Sequence, residues 1–430
     1  MSPEVTMRIG FGACNLCLGE GMAEPLVTRR LVYHLGGYDP VAPQAAYQRF
    51  VRELRRFTAT WSVMATASAP IIEADVASWH VAASGPNWRA EIEYRLMRWD
   101  DVIEAAGRQP MWRRVPSALF AFLDFVAAGA LWGYFRTNWR YAGFFLYPFV
   151  LFGLLAALAG GAGTLVTRTT ESPIIGLCAG LAALVLLMRW PAERLFLPLL
   201  FDDWIFSRDY IRRRDAVLDP RLDRIARALA ASVRDGEADE IVVIGHSLGA
   251  VLAVDCLARA LRLDPGLGKT GPRVSLLSVG SSLLKIGLHR RATRFRNAVE
   301  HVASAPQIFW AEYQALTDVM NFYKSNPVAD MGLRVPGRPV VRVERIRRMV
   351  DPARYRRIRR NFFKIHCQFV NGNDRRAAYD YFMLLCGPLS VERQVRYADG
   401  AVSAIGADGA LRESAADVPH VLGNPVEMSR

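Results

Sequence analysis

The sequence predicts an α/β protein: a central, mostly parallel sheet with flanking helices, interrupted by a block of membrane-length apolar helices. Three observations carry this. Short β-forming runs alternate with amphipathic helical stretches on both sides of residues 113–200, the order that builds a parallel sheet. Three long apolar stretches fall inside that interval. Beyond it, the uncharged run Ile241-Val242-Val243-Ile244 has the unbroken apolar character of a strand covered on both faces.

The chain of 430 residues has room for two or three average domains, or for one large domain with an insertion. The division expected is an extension at 1–26, a first α/β part at 27–112, an apolar insertion at 113–200, a second α/β part at 201–396 and a polar, disordered tail at 397–430. A net charge of +13, mostly from arginine, suits an anionic membrane surface or nucleic acid. The apolar runs, and the want of a nucleic-acid motif, select the bilayer as partner and exclude nucleic acid. The six cysteines are scattered, unlike a secreted disulfide framework. Cys14 and Cys17 have redox or zinc spacing but no accompanying second pair. No apolar core follows a basic start within Met1–Arg30, so no signal peptide is expected.

Residues 27–33 read as a strand and His34-Leu35-Gly36-Gly37-Tyr38-Asp39-Pro40 as the loop leaving it. Pro43 opens a helix with Tyr47, Phe50, Val51, Leu54 and Phe57 on one face. Thr60–Thr66 and the alternating Trp88–Leu96 are the next strands. The apolar stretches follow: Leu119–Phe135, Tyr141–Val166 and Pro173–Trp190. The middle one is long enough for about 30 Å of hydrocarbon. Trp132, Trp139, Tyr141, Tyr147 and Trp190 lie towards their ends, as interfacial aromatics do. Buried core helices are the alternative, but such helices are seldom so long or so free of a polar face. Asp219 with Pro220 starts the next helix. Strands at Glu240–Ile244, Arg273–Val279, the segment from Ile308 and Pro339–Val343 complete the pattern, with a helix at Ala250–Leu263.

The chemistry concentrates at Gly245-His246-Ser247-Leu248-Gly249, between a β-forming run and a helix. Strand, sharp turn and helix form the context that gives Gly-x-Ser-x-Gly its meaning as a nucleophile elbow. Glycines on either side let strand and helix approach closely, and the helix N-terminus brings unpaired amides beside the serine. This segment resembles the lipase and esterase branch of the α/β-hydrolase superfamily, over roughly residues 27–100 and 200–390. The resemblance implies an acid and then a histidine after the serine, an oxyanion loop after an early strand, and no cofactor or metal.

A serine hydroxyl needs a base, and the base needs a partner that fixes its tautomer. Of seven histidines, His34, His80 and His246 precede Ser247. His289 and His301 come before a good acid, and His420 is in the tail. His366 is therefore the expected base. Asp318, just past the penultimate strand, is the expected acid, with Glu312 and Asp330 as rivals. Asp255 and Asp264 read as surface charges. The oxyanion hole is expected from the amide of Leu248 and that of Gly37 or Tyr38, in a loop that resembles the family's His-Gly-rich loop without matching it.

Because strands on both sides of the insertion belong to one sheet, the number of full crossings must be even. Spans at Tyr141–Val166 and Pro173–Trp190 place Arg136, Arg140, Arg189 and Arg194 on the catalytic side, which the positive-inside rule makes cytoplasmic, at an inner membrane. Leu119–Phe135 then lies in the plane or acts as a lid, and the insertion is expected to be removable without loss of the α/β domain. The function expected is a membrane-anchored serine hydrolase acting on hydrophobic carboxylic esters. Thioester hydrolysis, amide hydrolysis and acyl transfer use the same residues. A catalytically silent scaffold on the same fold is the reading from a different class.

Overall fold

The alternation of runs becomes a nine-stranded sheet. The computed structural model describes residues 25–214 and 216–412. Its strands are β1 (Arg29–Leu35), β2 (Met64–Ala67), β3 (Ile71–Ile72), β4 (Val76–Gly85), β5 (Trp88–Met97), β6 (Glu240–His246), β7 (Arg273–Val279), β8 (Ile308–Ala315) and β9 (Val340–Glu344). The order is β2-β4-β5-β1-β6-β7-β8-β9, with β3 paired to β4. From β5 to β9 every neighbouring pair is parallel, and β4 and β2 extend one edge antiparallel. Strand β1, the first among the described residues, lies between β5 and β6. Its register sets Leu35 opposite Gly245, so the loops leaving β1 and β6 emerge side by side.

The twofold period of each strand divides the core. Tyr33, Val243, Leu276 and Trp310 face helices α7 (Leu218–Asp235), α8 (Gly249–Leu263) and α9 (Thr293–Ala303). Val32, Val242, Ile244, Leu277 and Tyr313 face α1 (Pro43–Trp61) and α11 (Tyr381–Cys386). Beneath the sheet, the fully buried Arg30 pairs with Glu240 at 2.9 Å. It also donates to the carbonyls of Leu385, Gly387 and Leu389, which pins the C-terminal segment to the central strands.

The insertion comprises α2 (Met111–Ala127), α3 (Ala130–Thr137), α4 (Trp139–Thr170) and α5 (Pro173–Arg189), and returns through α6 (Leu197–Arg212). Among the described residues, two helices are long and apolar enough to cross a membrane: Trp139–Thr170, mean hydropathy 2.1, and Pro173–Arg194, mean hydropathy 1.9. They form a close antiparallel hairpin. A Cβ on Gly163 would lie 2.7 Å from the Gly176 carbonyl, and one on Gly176 would collide with Thr167. Small residues at these positions let the backbones touch, the packing that joins helices in lipid. Helices α2 and α3 meet at a 68° bend, and their outer face exposes Phe120, Leu123, Trp132 and Phe135.

Several elements differ from the sequence expectation. The strand expected at Thr60–Thr66 begins at Met64, because Phe57 and Trp61 keep α1 helical for one more turn on its buried face. Strand β4 went unread, since its buried positions include the small Ala77 and Ala83. Asp219 does not cap α7: its carboxylate binds Arg259 and Arg294. Residues 397–412, read as the start of a tail, pack against the domain. There Ala404 and Ile405 are buried, and Gly409 accepts a hydrogen bond from the Trp88 indole. Cys14, Cys17 and His420 lie outside the described residues.

Candidate active site

Ser247 occupies the turn between β6 and α8 with φ 56°, a left-handed conformation that a non-glycine residue adopts at a cost of about 1–2 kcal/mol. The turn is this tight because both flanking residues lack a Cβ. A Cβ on Gly245 would sit 2.2 Å from Ala250 Cα, and one on Gly249 would sit 2.1 Å from the Leu35 carbonyl oxygen. Backbone bonds from Ser247 N to the Val279 carbonyl and from Ser282 N to the Ser247 carbonyl lock it in place. Leu248 immediately precedes α8, where amides lack intrahelical acceptors.

The loop after β1 closes over this turn. A Cβ on Gly37 would be 2.9 Å from Ser247 Cβ, so only glycine allows the loop this close. Tyr38 packs its ring against Trp99 and Phe206 and is buried. His34 lines the same cavity as Ser247, with its Nδ1 bonded to the hydroxyls of Tyr94 and Tyr381. Burial, and the Arg49 charge, push its pKa down to about 3.

His366 ends the short helix α10 (Phe362–His366). Its Nδ1 lies 2.7 Å from Asp318 Oδ2, and both residues are buried. Asp318 Oδ1 accepts from the Met320 amide, and Asn321 ties the loop shut through the carbonyls of Ala315 and Asp318. Among the described residues, His366 Nε2 is buried without a hydrogen-bond partner. The His246 ring lies against that of His366, centroids 4.5 Å apart, with its Nε2 3.3 Å from the His366 carbonyl oxygen. Burial, reinforced by the neighbouring imidazole, holds His246 well below the usual histidine range. Ser247, His246, His366, Gly37 and Tyr38 line one cavity of about 100 Å³, walled further by Leu200, Met320 and Phe363.

The other candidates have different partners. Glu312 accepts from Ser281 Oγ at 2.6 Å, and burial raises its pKa to about 7. Asp330 binds the Asn326 amide, and Asp264 the Gly266 amide. Asp255, expected at the surface, is 2 % exposed and is held by Arg259 and Tyr210. His289 faces Asp124, while His80 and His301 are exposed.

Two features escaped the sequence reading. Lys285, buried after β7, binds Asp203 of α6 at 2.5 Å and lies over the Trp204 ring, and Asp203 reaches the cavity wall. The foot of the hairpin also grips the segments that carry Asp318 and His366. The Tyr141 ring stacks on Phe322 at 3.8 Å, Arg140 donates to the Leu316 carbonyl, and Phe196 packs on Phe363. These partners are far apart in sequence, and no local pattern announces them. Compared with known proteins, the chain has no match among family models, curated proteins or solved structures.

Proposed function

We propose that the chain is a membrane-anchored serine hydrolase of the α/β-hydrolase type that cleaves carboxylic esters with a hydrophobic acyl group. The observation that carries this reading is the pairing of Asp318 with His366, whose free Nε2 shares a cavity with Ser247 in its left-handed turn. On this reading Ser247 Oγ attacks the ester carbonyl as His366 Nε2 takes its proton. Asp318 holds the imidazole with Nδ1–H towards the carboxylate and stabilises the cation that forms. The amides of Leu248 and of Gly37 or Tyr38 receive the charge on the carbonyl oxygen. His366 then protonates the leaving alkoxide, and water releases the acyl group from Ser247 by the same route in reverse. The adjacency of β1 and β6 supports the assignment, because an oxyanion hole of this type needs one amide from each loop.

The apolar walls Leu200, Met320 and Phe363, close to the hairpin foot, favour a lipid-derived ester. Arg136, Arg140, Arg189 and Arg194 at the domain end of the hairpin favour a cytoplasmic catalytic face at an inner membrane. A fluorophosphonate probe on the membrane fraction tests the reading. Wild type should label covalently and Ser247→Ala should not, with membrane association unchanged. An unlabelled wild type would leave the silent scaffold as the better account, and labelling of both would place the nucleophile elsewhere.

A further inference from the structure

The cleft between the hairpin foot and the arginine-rich segment before α10 has a composition that neither catalysis nor core packing requires. Its walls include Trp139, Arg140, Tyr147, Leu316, Arg359 and Phe362, around about 640 Å³. That volume falls within the range of roughly 300–1,000 Å³ usual for small-molecule sites. Both charged residues lining it are arginines, and no acidic side chain among the described residues joins them. The Arg359 side chain is exposed and has no hydrogen bond or ion pair among the described residues. Arg140 commits one N–H to the Leu316 carbonyl, which leaves the rest of its guanidinium available. Arg347, Arg348, Arg356, Arg357 and Arg360 are also exposed along the same segment and extend the positive field.

Position supplies the second argument. Trp139 is the first residue of a membrane-length helix and is 69 % exposed, so the cleft opens at the domain end of the hairpin, the side from which the helix enters the bilayer. Its aromatic walls suit the first carbons of an acyl chain, and its arginines suit a phosphate, for which guanidinium is the preferred planar donor. We propose that this cleft binds an anionic phospholipid, with its phosphate held between Arg140 and Arg359. A zwitterionic lipid presents a compensating ammonium to the same field and binds less well. The inference rests on the membrane reading above and is independent of the catalytic one.

The test uses the full chain in phosphatidylcholine nanodiscs carrying trace spin-labelled phosphatidylglycerol or spin-labelled phosphatidylcholine. Electron spin resonance then gives their relative association with the protein. Wild type should prefer phosphatidylglycerol several-fold. Arg359→Gln alone, which removes no hydrogen bond, should reduce the preference by about fivefold or to parity, the effect of one near-surface arginine. Arg140→Gln with Arg359→Gln should abolish it. Arg113→Gln with Arg194→Gln is the control, since those guanidinium groups lie over Trp112 and Trp190, outside the cleft. No preference in wild type, or an equal loss in the control, would overturn the site. A chain that does not enter the discs would overturn the membrane reading itself.

Discussion

At the scale of single residues, geometry and charge divide work between chemically similar groups. Asp318 and Glu312 are both buried carboxylates after β7, yet Asp318 meets an imidazole and Glu312 meets a serine hydroxyl. If His366 is the base, His366→Ala should reduce ester turnover by several orders of magnitude. Asp318→Asn should reduce it by about 10⁴, because an amide favours the wrong imidazole tautomer. Turnover within tenfold of wild type in either variant would remove that residue from the reaction. Glu312 carries a different prediction. Its folded pKa, near 7, lies above that of an exposed glutamate. The stability this contributes is present at low pH and lost as pH rises through 7, where a buried charge must form. Glu312→Gln keeps an acceptor for Ser281, so its melting temperature relative to wild type should rise by about 2 °C or more between pH 5 and pH 8. A difference that does not change with pH would show that Glu312 does not titrate in that interval.

At the scale of elements, the hairpin foot and the loop carrying Asp318 form one packed unit. Met320 and Phe322 are buried among Tyr134, Tyr141 and Phe145 of α3 and α4. Phe322→Leu preserves most of the apolar volume, so its cost to stability should stay below about 1.5 kcal/mol. It removes the ring stacked on Tyr141 and gives the loop carrying Asp318 more freedom. Covalent labelling of Ser247 should slow several-fold, although Phe322 touches none of the reacting atoms. An unchanged rate would mean that Asn321 and its two carbonyl partners position Asp318 without help from the hairpin.

At the scale of the whole molecule, β1 and β5 precede the insertion and β6 follows it, yet β1 pairs with both. The sheet therefore lies on one side of any membrane, and the crossings are even. With α4 and α5 as the crossing pair, a cysteine at Thr169 in a background lacking the exposed Cys178 should react from the far side. A cysteine at Arg136 should react only from the side of the sheet. Reaction of both from one side would rule out the hairpin topology. The sequence alone suggested that the insertion could be removed cleanly, but the contacts at its foot argue otherwise. Deleting 117–198 would strip cover from Trp204, Phe322 and Phe363, and should give an aggregated or unlabelled protein. Removing only 160–183 keeps the foot and should retain labelling. Equal behaviour of the two deletions would refute the role given to the foot.

The sequence by itself determined the strands with strong apolar or alternating character, the tight strand–helix turn around Ser247 and the two membrane-length helices. These depend on local spacing: period two, period 3.6, glycines beside a turn, and enough apolar residues to cross a bilayer. The choice of His366 and Asp318 came from their order in the chain, and the structure sets the two side by side. Strand β4, the extra turn of α1 and the packing of residues 397–412 were decided by tertiary contacts, because small or polar residues there are buried by neighbours distant in sequence. The same holds for Lys285 with Asp203 and for the grip of the hairpin foot on the candidate site. Side chains separated by dozens of residues meet only once the sheet has formed, and one-dimensional periodicity carries no record of which distant partner fills a given face.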